Sequence, residues 1–220
     1  HKNFFNLPHI TAFYNSSHFK NHFIAGIIMK VLKTLEEYLN FNLSYNYLNI
    51  TGYKNLSEKE NYISTKTSGY LIRLFKLLIS IKDRGFIYGE SDQIFEIIKE
   101  MSGIGEGSTP LSDDFICGII CSLTGTGKLR KLEEIIGARF NELNTSEIPK
   151  IMILDSACGY IPLDIKKAIM IGHDQKKNKE EIEKNNLGLK ELIETVGSDS
   201  GMGILMGFWL FNLVWKNVNE

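Results

Sequence analysis

Apolar residues recur three and four positions apart along almost the whole chain, and this period restricts the fold more than any other feature. Phe19, Phe23, Ile24, Ile27, Ile28, Val31, Leu32 and Leu35 share one helical face, predicting a helix from Ser17 to about Tyr38 capped by Ser16 or Ser17. Ser57 with Glu60 reads as a capping box, opening a long helical stretch through Leu71, Leu74, Leu77, Leu78 and Ile81 that Gly69 divides. Gly85 and Gly89 mark a turn, and a short helix carrying Ile94, Ile97 and Ile98 stops before Gly103. Further helices are predicted at about 111–123, 129–140, 145–158, 163–173, 179–196 and 200–217. Residues Phe41 to Thr51 alternate weakly and read as one strand or an irregular crossing, after an aromatic and polar arm over the first fifteen residues. The expected fold class is therefore mainly α: a multi-helix array with little strand, in which a glycine-rich loop leads into a central helix. At 220 residues the chain suffices for a single domain, 1–220, with 1–56 as arm, helix and candidate strand and 57–220 as the helical region.

Charge narrows the partners. Twenty-five basic residues face 26 acidic ones, a formal net charge of -1, and no segment combines dense Lys/Arg with interleaved aromatics. A chain that tracks phosphates carries a basic surplus, so nucleic acid is not an expected partner. The most apolar run, Gly203 to Trp215, is shorter than the roughly 20 residues a spanning helix needs, so it reads as a core helix and no membrane partner is expected. The chain begins at His1, and a signal peptide is neither assigned nor excluded.

The cysteines are Cys117, Cys121 and Cys158, an odd number in apolar surroundings. They predict free, buried, slowly reacting thiols and a cytoplasmic location. Asn-x-Ser/Thr sequons at Asn15, Asn42, Asn49, Asn55 and Asn144 are what an Asn-rich chain supplies by chance. Cys117 and Cys121 lie four apart with Asp113 on one helical face, but buried cysteine behaves as a small hydrophobe, and no metal ligands are assigned. His18 and His22 have metal-ligand spacing without a third partner, and His173 reads as a helix C-terminal residue. Gly125-Thr126-Gly127-Lys128 is a turn: a phosphate-binding P-loop needs Gly at Ser122 and Ser or Thr at Leu129. The alternating charges from Lys176 to Lys184 read as a solvated helix face.

The stretch from Gly103 to Gly118 carries the candidate chemistry. Gly103, Gly105 and Gly107 let the backbone turn tightly and approach a ligand. Thr109 is expected to cap the next helix, with Pro110 at its first position. Free N–H groups and the positive end of the helix dipole suit a phosphate or carboxylate. Asp113 and Asp114 in the first turn compete with such an anion, a conflict that a divalent cation or a hydrogen-bond-donating ligand resolves. The plain alternative is a well-capped helix after a loop.

Gly103-Ile104-Gly105-Glu106-Gly107-Ser108-Thr109-Pro110-Leu111-Ser112-Asp113-Asp114-Phe115, with Gly118, resembles the signature of the AllH-like family, named for a subunit of anaerobic oxamate carbamoyltransferase. Ser108, Leu111 and Ser112 depart from that pattern; Leu111 stands where a serine hydroxyl is usual, with Ser112 and Ser108 as substitutes. Gly197, Ser200, Gly201 and Gly207 are similar to the family's closing element, while Ser198 and Gly203 depart from its His and Asp. The resemblance spans about residues 60 to 217. It implies a subunit of a carbamoyl-transfer system in anaerobic purine or ureide breakdown, with Gly103, Gly105, Gly107, Ser108, Thr109, Ser112, Ser200 and Gly201 binding a small anionic metabolite. Asp113 and Asp114 are the implied catalytic residues, orienting a neutral amide end or holding a divalent cation, the one candidate cofactor. Partner subunits or a homo-oligomer are implied too. The other reading is a non-catalytic helical binding or assembly protein that keeps the loop as a ligand sensor or interface.

Overall fold

The computed structural model describes residues 56–84, 89–124, 130–163, 165–167 and 198–217, together with part of a helix between residues 27 and 38. All regular structure among these residues is helical, and the candidate strand at 41–51 and the predicted helix at 179–196 lie outside them. The helices are α1 (Glu58–Arg84), α2 (Glu90–Met101), α3 (Leu111–Thr124), α4 (Arg130–Arg139), α5 (Glu147–Ala157) and α6 (Ser198–Asn217), with a 3₁₀ turn at Phe140–Glu142.

Helix α1 starts where its cap was expected. The Glu60 N–H donates to Ser57 Oγ at 3.3 Å and the Glu60 carboxylate accepts the Ser57 N–H, which satisfies two of the orphan donors of the first turn. Gly69 does not divide this helix. It sits exposed in an unbroken α1, where one glycine costs less than the apolar stripe from Ile63 to Ile81 returns by burial.

Every residue of α3 from Leu111 to Leu123 is buried, so this is the central helix, wrapped by α5 on one side and α6 on another. Its closest partner is α6, and the paired positions rise together along both helices. Thr109 meets Ser200, Asp114 lies against Gly203, Phe115 against Gly207, Gly118 against Ile204 and Phe208, and Ser122 reaches Phe208 and Asn212. The two helices therefore run parallel, with their N-terminal ends side by side.

Glycine makes that pairing possible. A Cβ on Gly118 would stand 1.9 Å from the Ile204 carbonyl oxygen, and one on Gly207 would stand 2.3 Å from the Phe115 carbonyl oxygen. Both obstacles are backbone and cannot rotate away. At the far end, Ser122 donates to the Phe208 carbonyl at 3.0 Å and accepts from Asn212 at 3.0 Å, which pins the helices against sliding.

Around this pair, α2 packs on α1 and α4, and α4 on α5. Arg139 joins them at the surface: its guanidinium stacks 4.3 Å from the Phe95 ring centroid and pairs with Glu96 and, at 2.8 Å, with Glu142. The Arg139 and Lys99 cations hold the Glu142 carboxyl down at about 2.

Gly118→Ala is expected to destabilise the fold by about 1–3 kcal/mol or more, because the helices must separate. Gly69→Ala meets nothing within 4 Å and is expected to stabilise by about 0.5–1 kcal/mol. Urea denaturation midpoints of the two variants check the contrast.

Candidate functional site

The loop from Ser102 to Pro110 crosses the end of the α3–α6 pair. Gly103, Gly105 and Gly107 have φ of +81°, +141° and +89°, which side chains rarely tolerate. Space is also lacking: a Cβ on Gly103 would lie 2.2 Å from the Asn144 carbonyl oxygen, and one on Gly105 would lie 2.5 Å from the Leu111 nitrogen.

The start of the loop is stitched to the first turn of α3. The Gly103 N–H donates to Asp113 Oδ1 at 2.9 Å, the Ile104 N–H to Ser112 Oγ at 2.9 Å, and the Ser112 N–H returns to the Ile104 carbonyl at 3.1 Å. The Thr145 hydroxyl donates to Asp113 Oδ2 at 2.6 Å, and the Asn144 N–H donates to Ser102 Oγ at 2.8 Å. Pro110 precedes the first helical residue instead of occupying it, its carbonyl accepting the Asp113 and Asp114 N–H groups at 2.9 and 3.3 Å. Thr109 does not cap the helix, because its hydroxyl is engaged by Ser200 at the start of α6.

The candidate site residues thus divide. Ser112, Asp113, Asp114 and Gly201 are buried, and Gly103, Ser112 and Asp113 are tied into the loop's own bonds. Gly107 and Ser108 are exposed, while Gly105, Thr109 and Ser200 are half-buried and form a rim with them. Among the described residues, the N–H groups of Gly105, Glu106, Gly107, Ser108 and Thr109 donate to nothing. Glu106 pairs instead through its side chain with Lys59 at the start of α1. Two helix N-termini, each equivalent to roughly half a positive charge, adjoin this rim.

Burial raises the Asp113 carboxyl above the ordinary value of 3.8, against the opposing bonds from Thr145 and Gly103. Between the unfolded value and that raised value the native state holds the extra proton. Asp113 therefore adds stability as pH falls through this window, and its ionisation costs stability above it. Asp114 lies where the first turns of α3 and α6 meet; a Cβ on Gly203 would stand 2.5 Å from its Cβ. The missing side chain at 203 is the space Asp114 occupies.

Behind this end, α3, α5 and α6 border an open cavity of about 280 Å³ lined by Cys117, Cys121, Ser156 and Ile204, with the exposed Asp155 and Tyr160 among its other walls. Burial lifts the Cys117 thiol well above its ordinary value and pushes Cys121 up to about 11, so both stay neutral at physiological pH. Cys158 corrects the expectation of three buried thiols: it follows the last turn of α5 and is exposed. No group of three or more His, Cys, Asp or Glu among the described residues could hold a metal ion. Among them, too, no helix is long and apolar enough to cross a membrane.

Thr145 and Asn144 escaped the sequence reading, where Asn144-Thr145-Ser146 passed as a chance sequon beside a helix start. Its one visible signal is a run of three polar turn residues ahead of α5, which names no partner.

A family model for the oxamate carbamoyltransferase subunit AllH matches residues 101–211, half of the chain. The chain belongs to the AllH family. Comparisons with curated proteins and with solved structures gave no match. The AllH match begins at Met101, just before the glycine loop, and ends at Phe211 within α6, so it contains α3, α6 as far as Phe211 and the whole rim.

Asp113→Asn keeps an acceptor for Gly103 and offers an N–H to the Thr145 oxygen, so it is expected to match or exceed the parent's stability at pH 7 and to flatten its pH dependence. Asp113→Ala strands both partners and is expected to cost about 1–3 kcal/mol. Thermal melts from pH 4 to 8 check both. Thiol labelling at pH 8 is expected to modify Cys158 quickly, with Cys117 and Cys121 reacting only on unfolding.

Proposed function

We propose that this AllH-family chain serves as a subunit of a carbamoyl-transfer system in anaerobic purine or ureide breakdown, binding a small anionic metabolite at the rim of Gly105, Gly107, Ser108, Thr109 and Ser200. The observation that carries this reading is the run of unspent N–H groups from Gly105 to Thr109 beside two parallel helix starts. Successive backbone donors in a glycine-rich turn form a concavity suited to anion oxygens.

Charge ranks the anions. Two helix starts supply roughly one positive charge between them. The buried Asp113 and Asp114 offset it, so a multiply charged phosphate gains little from the local field. A monoanion with hydrogen-bond-donating groups, such as an oxamate-like carboxylate with its amide, fits better. Phosphate or carbamoyl phosphate calls for Mg²⁺ or Mn²⁺ to balance the aspartates. In this reading Asp113 fixes the loop and Asp114 sets the field.

A second reading keeps the same rim without catalysis, as a ligand sensor or an interface with partner subunits. It is favoured by the internal use of Asp113 and Ser112, which leaves the rim built from amides and hydroxyls.

Oxamate, carbamoyl phosphate and phosphate are titrated against melting temperature, each with and without Mg²⁺. Oxamate is expected to stabilise the protein by about 2.7 kcal/mol at a hundredfold excess over its Kd, and the phosphates only with metal. Ser200→Ala and Gly105→Val are expected to weaken or abolish the shift, and Asp114→Asn to remove its metal dependence. A parent protein that none of these anions shifts, with or without metal, sinks the reading.

A further inference from the structure

Thr145 stands outside the glycine motif, 32 residues beyond Asp113, yet its hydroxyl reaches the Asp113 carboxylate at 2.6 Å. The other carboxylate oxygen holds the Gly103 N–H at 2.9 Å. A carboxylate is planar, so a donor on each oxygen fixes its rotation, and the orientation set by Thr145 is passed to the first glycine of the loop. We infer that Thr145 is the positioning residue of the AllH ligand rim, acting through Asp113 on Gly103; this rests on the ligand-binding reading above.

Thr145 can act as an anchor because its own segment is held independently. The Asn144 N–H donates to Ser102 Oγ at 2.8 Å, and its side-chain amide donates to the Lys99 carbonyl at 2.9 Å. The Asn144 carbonyl abuts Gly103 so closely that no side chain fits there. Upstream, Glu142 accepts from Lys99 at 3.1 Å and from Arg139 at 2.8 Å, which fixes the turn leading into the segment. The turn before α5 is thereby fastened to the end of α2, and Thr145 projects from that fixed base onto the loop. The β-branched side chain also has few rotamers to lose on binding Asp113.

Without the hydroxyl, Asp113 keeps one bond and regains rotation, and Gly103 no longer has a fixed acceptor. The rim amides that follow then sample several orientations, and ligand affinity falls because they must be ordered on binding. Serine restores the donor; valine preserves shape and removes it.

The test compares the parent, Thr145→Val and Thr145→Ser by oxamate titration and by amide hydrogen exchange. Valine is expected to lower affinity about tenfold, and serine to stay within about twofold of the parent. Exchange at Gly103 and Ile104, the loop amides that are bonded in the parent, is expected to quicken in the valine variant alone, with α3 and α6 protected as in the parent. Loop exchange unchanged by valine overturns the inference, as does serine behaving like valine or a uniform loss of protection through α3 and α6. Should the parent bind no anion, the ligand-binding reading fails by itself, and the exchange comparison still decides whether Thr145 fixes the loop.

Discussion

Backbone contact between two parallel helices is the constraint on which the rest of this structure depends. Gly118 on α3 faces the Ile204 carbonyl, and Gly207 on α6 faces the Phe115 carbonyl, at separations that exclude any Cβ. Helices this close share one register, and the Ser122 bonds to Phe208 and Asn212 hold it. Parallel packing also has an electrostatic cost, since like ends of two dipoles lie together. Asp113 and Asp114 in the first turn of α3 oppose that repulsion, and Gly203 leaves the space in which Asp114 sits. The glycines and the aspartates thus answer one problem, the meeting of two positive helix ends.

Asp113 shows how a costly group can be kept. Burial raises its carboxyl above the ordinary range, so the ionised form is held at a penalty that a surface aspartate does not meet. In return it accepts from Gly103 and Thr145, groups that would otherwise be stranded in a half-buried turn. An apolar residue of similar shape would remove the penalty and with it a side chain that joins the loop, α3 and the turn before α5 through two oxygens. Such a residue contributes to the selection of one loop conformation more than to net stability.

How far this was legible in the sequence follows from what each signal reports. Helical period reports a local face, and it placed α3 at 111–123 against the observed Leu111–Thr124, and α6 at 200–217 against Ser198–Asn217. The Ser57–Glu60 cap is also local and was read correctly. Gly69 was misread because a propensity cost was weighed without the burial that outweighs it. Cys158 was misread because it was grouped with Cys117 and Cys121, although it falls in the turn beyond α5. The glycine run was visible as a loop at a helix start, and its AllH signature could be named from residues alone. Nothing in it disclosed that α6 runs parallel to α3, that Thr109 would turn to Ser200, or that Thr145 would reach Asp113. Those facts join residues 32 and 91 positions apart, and no local pattern encodes them.

The alternation of glycines explains how one short loop can bond to buried side chains with some of its amides and leave others unspent. Its first donors, at Gly103 and Ile104, turn inward and are spent on Asp113 and Ser112. Its later donors, from Gly105 to Thr109, meet no described group, and the segment from Glu106 to Ser108 is exposed. A positive φ at every second residue is what lets neighbouring amides face different ways over so short a span. In the proposed reading, the aspartates and a bound anion use different N–H groups and do not compete. The conflict that the sequence posed, two carboxylates beside a loop expected to receive an anion, becomes a division of the loop into an inner half that fixes its shape and an outer half whose amides meet no described group.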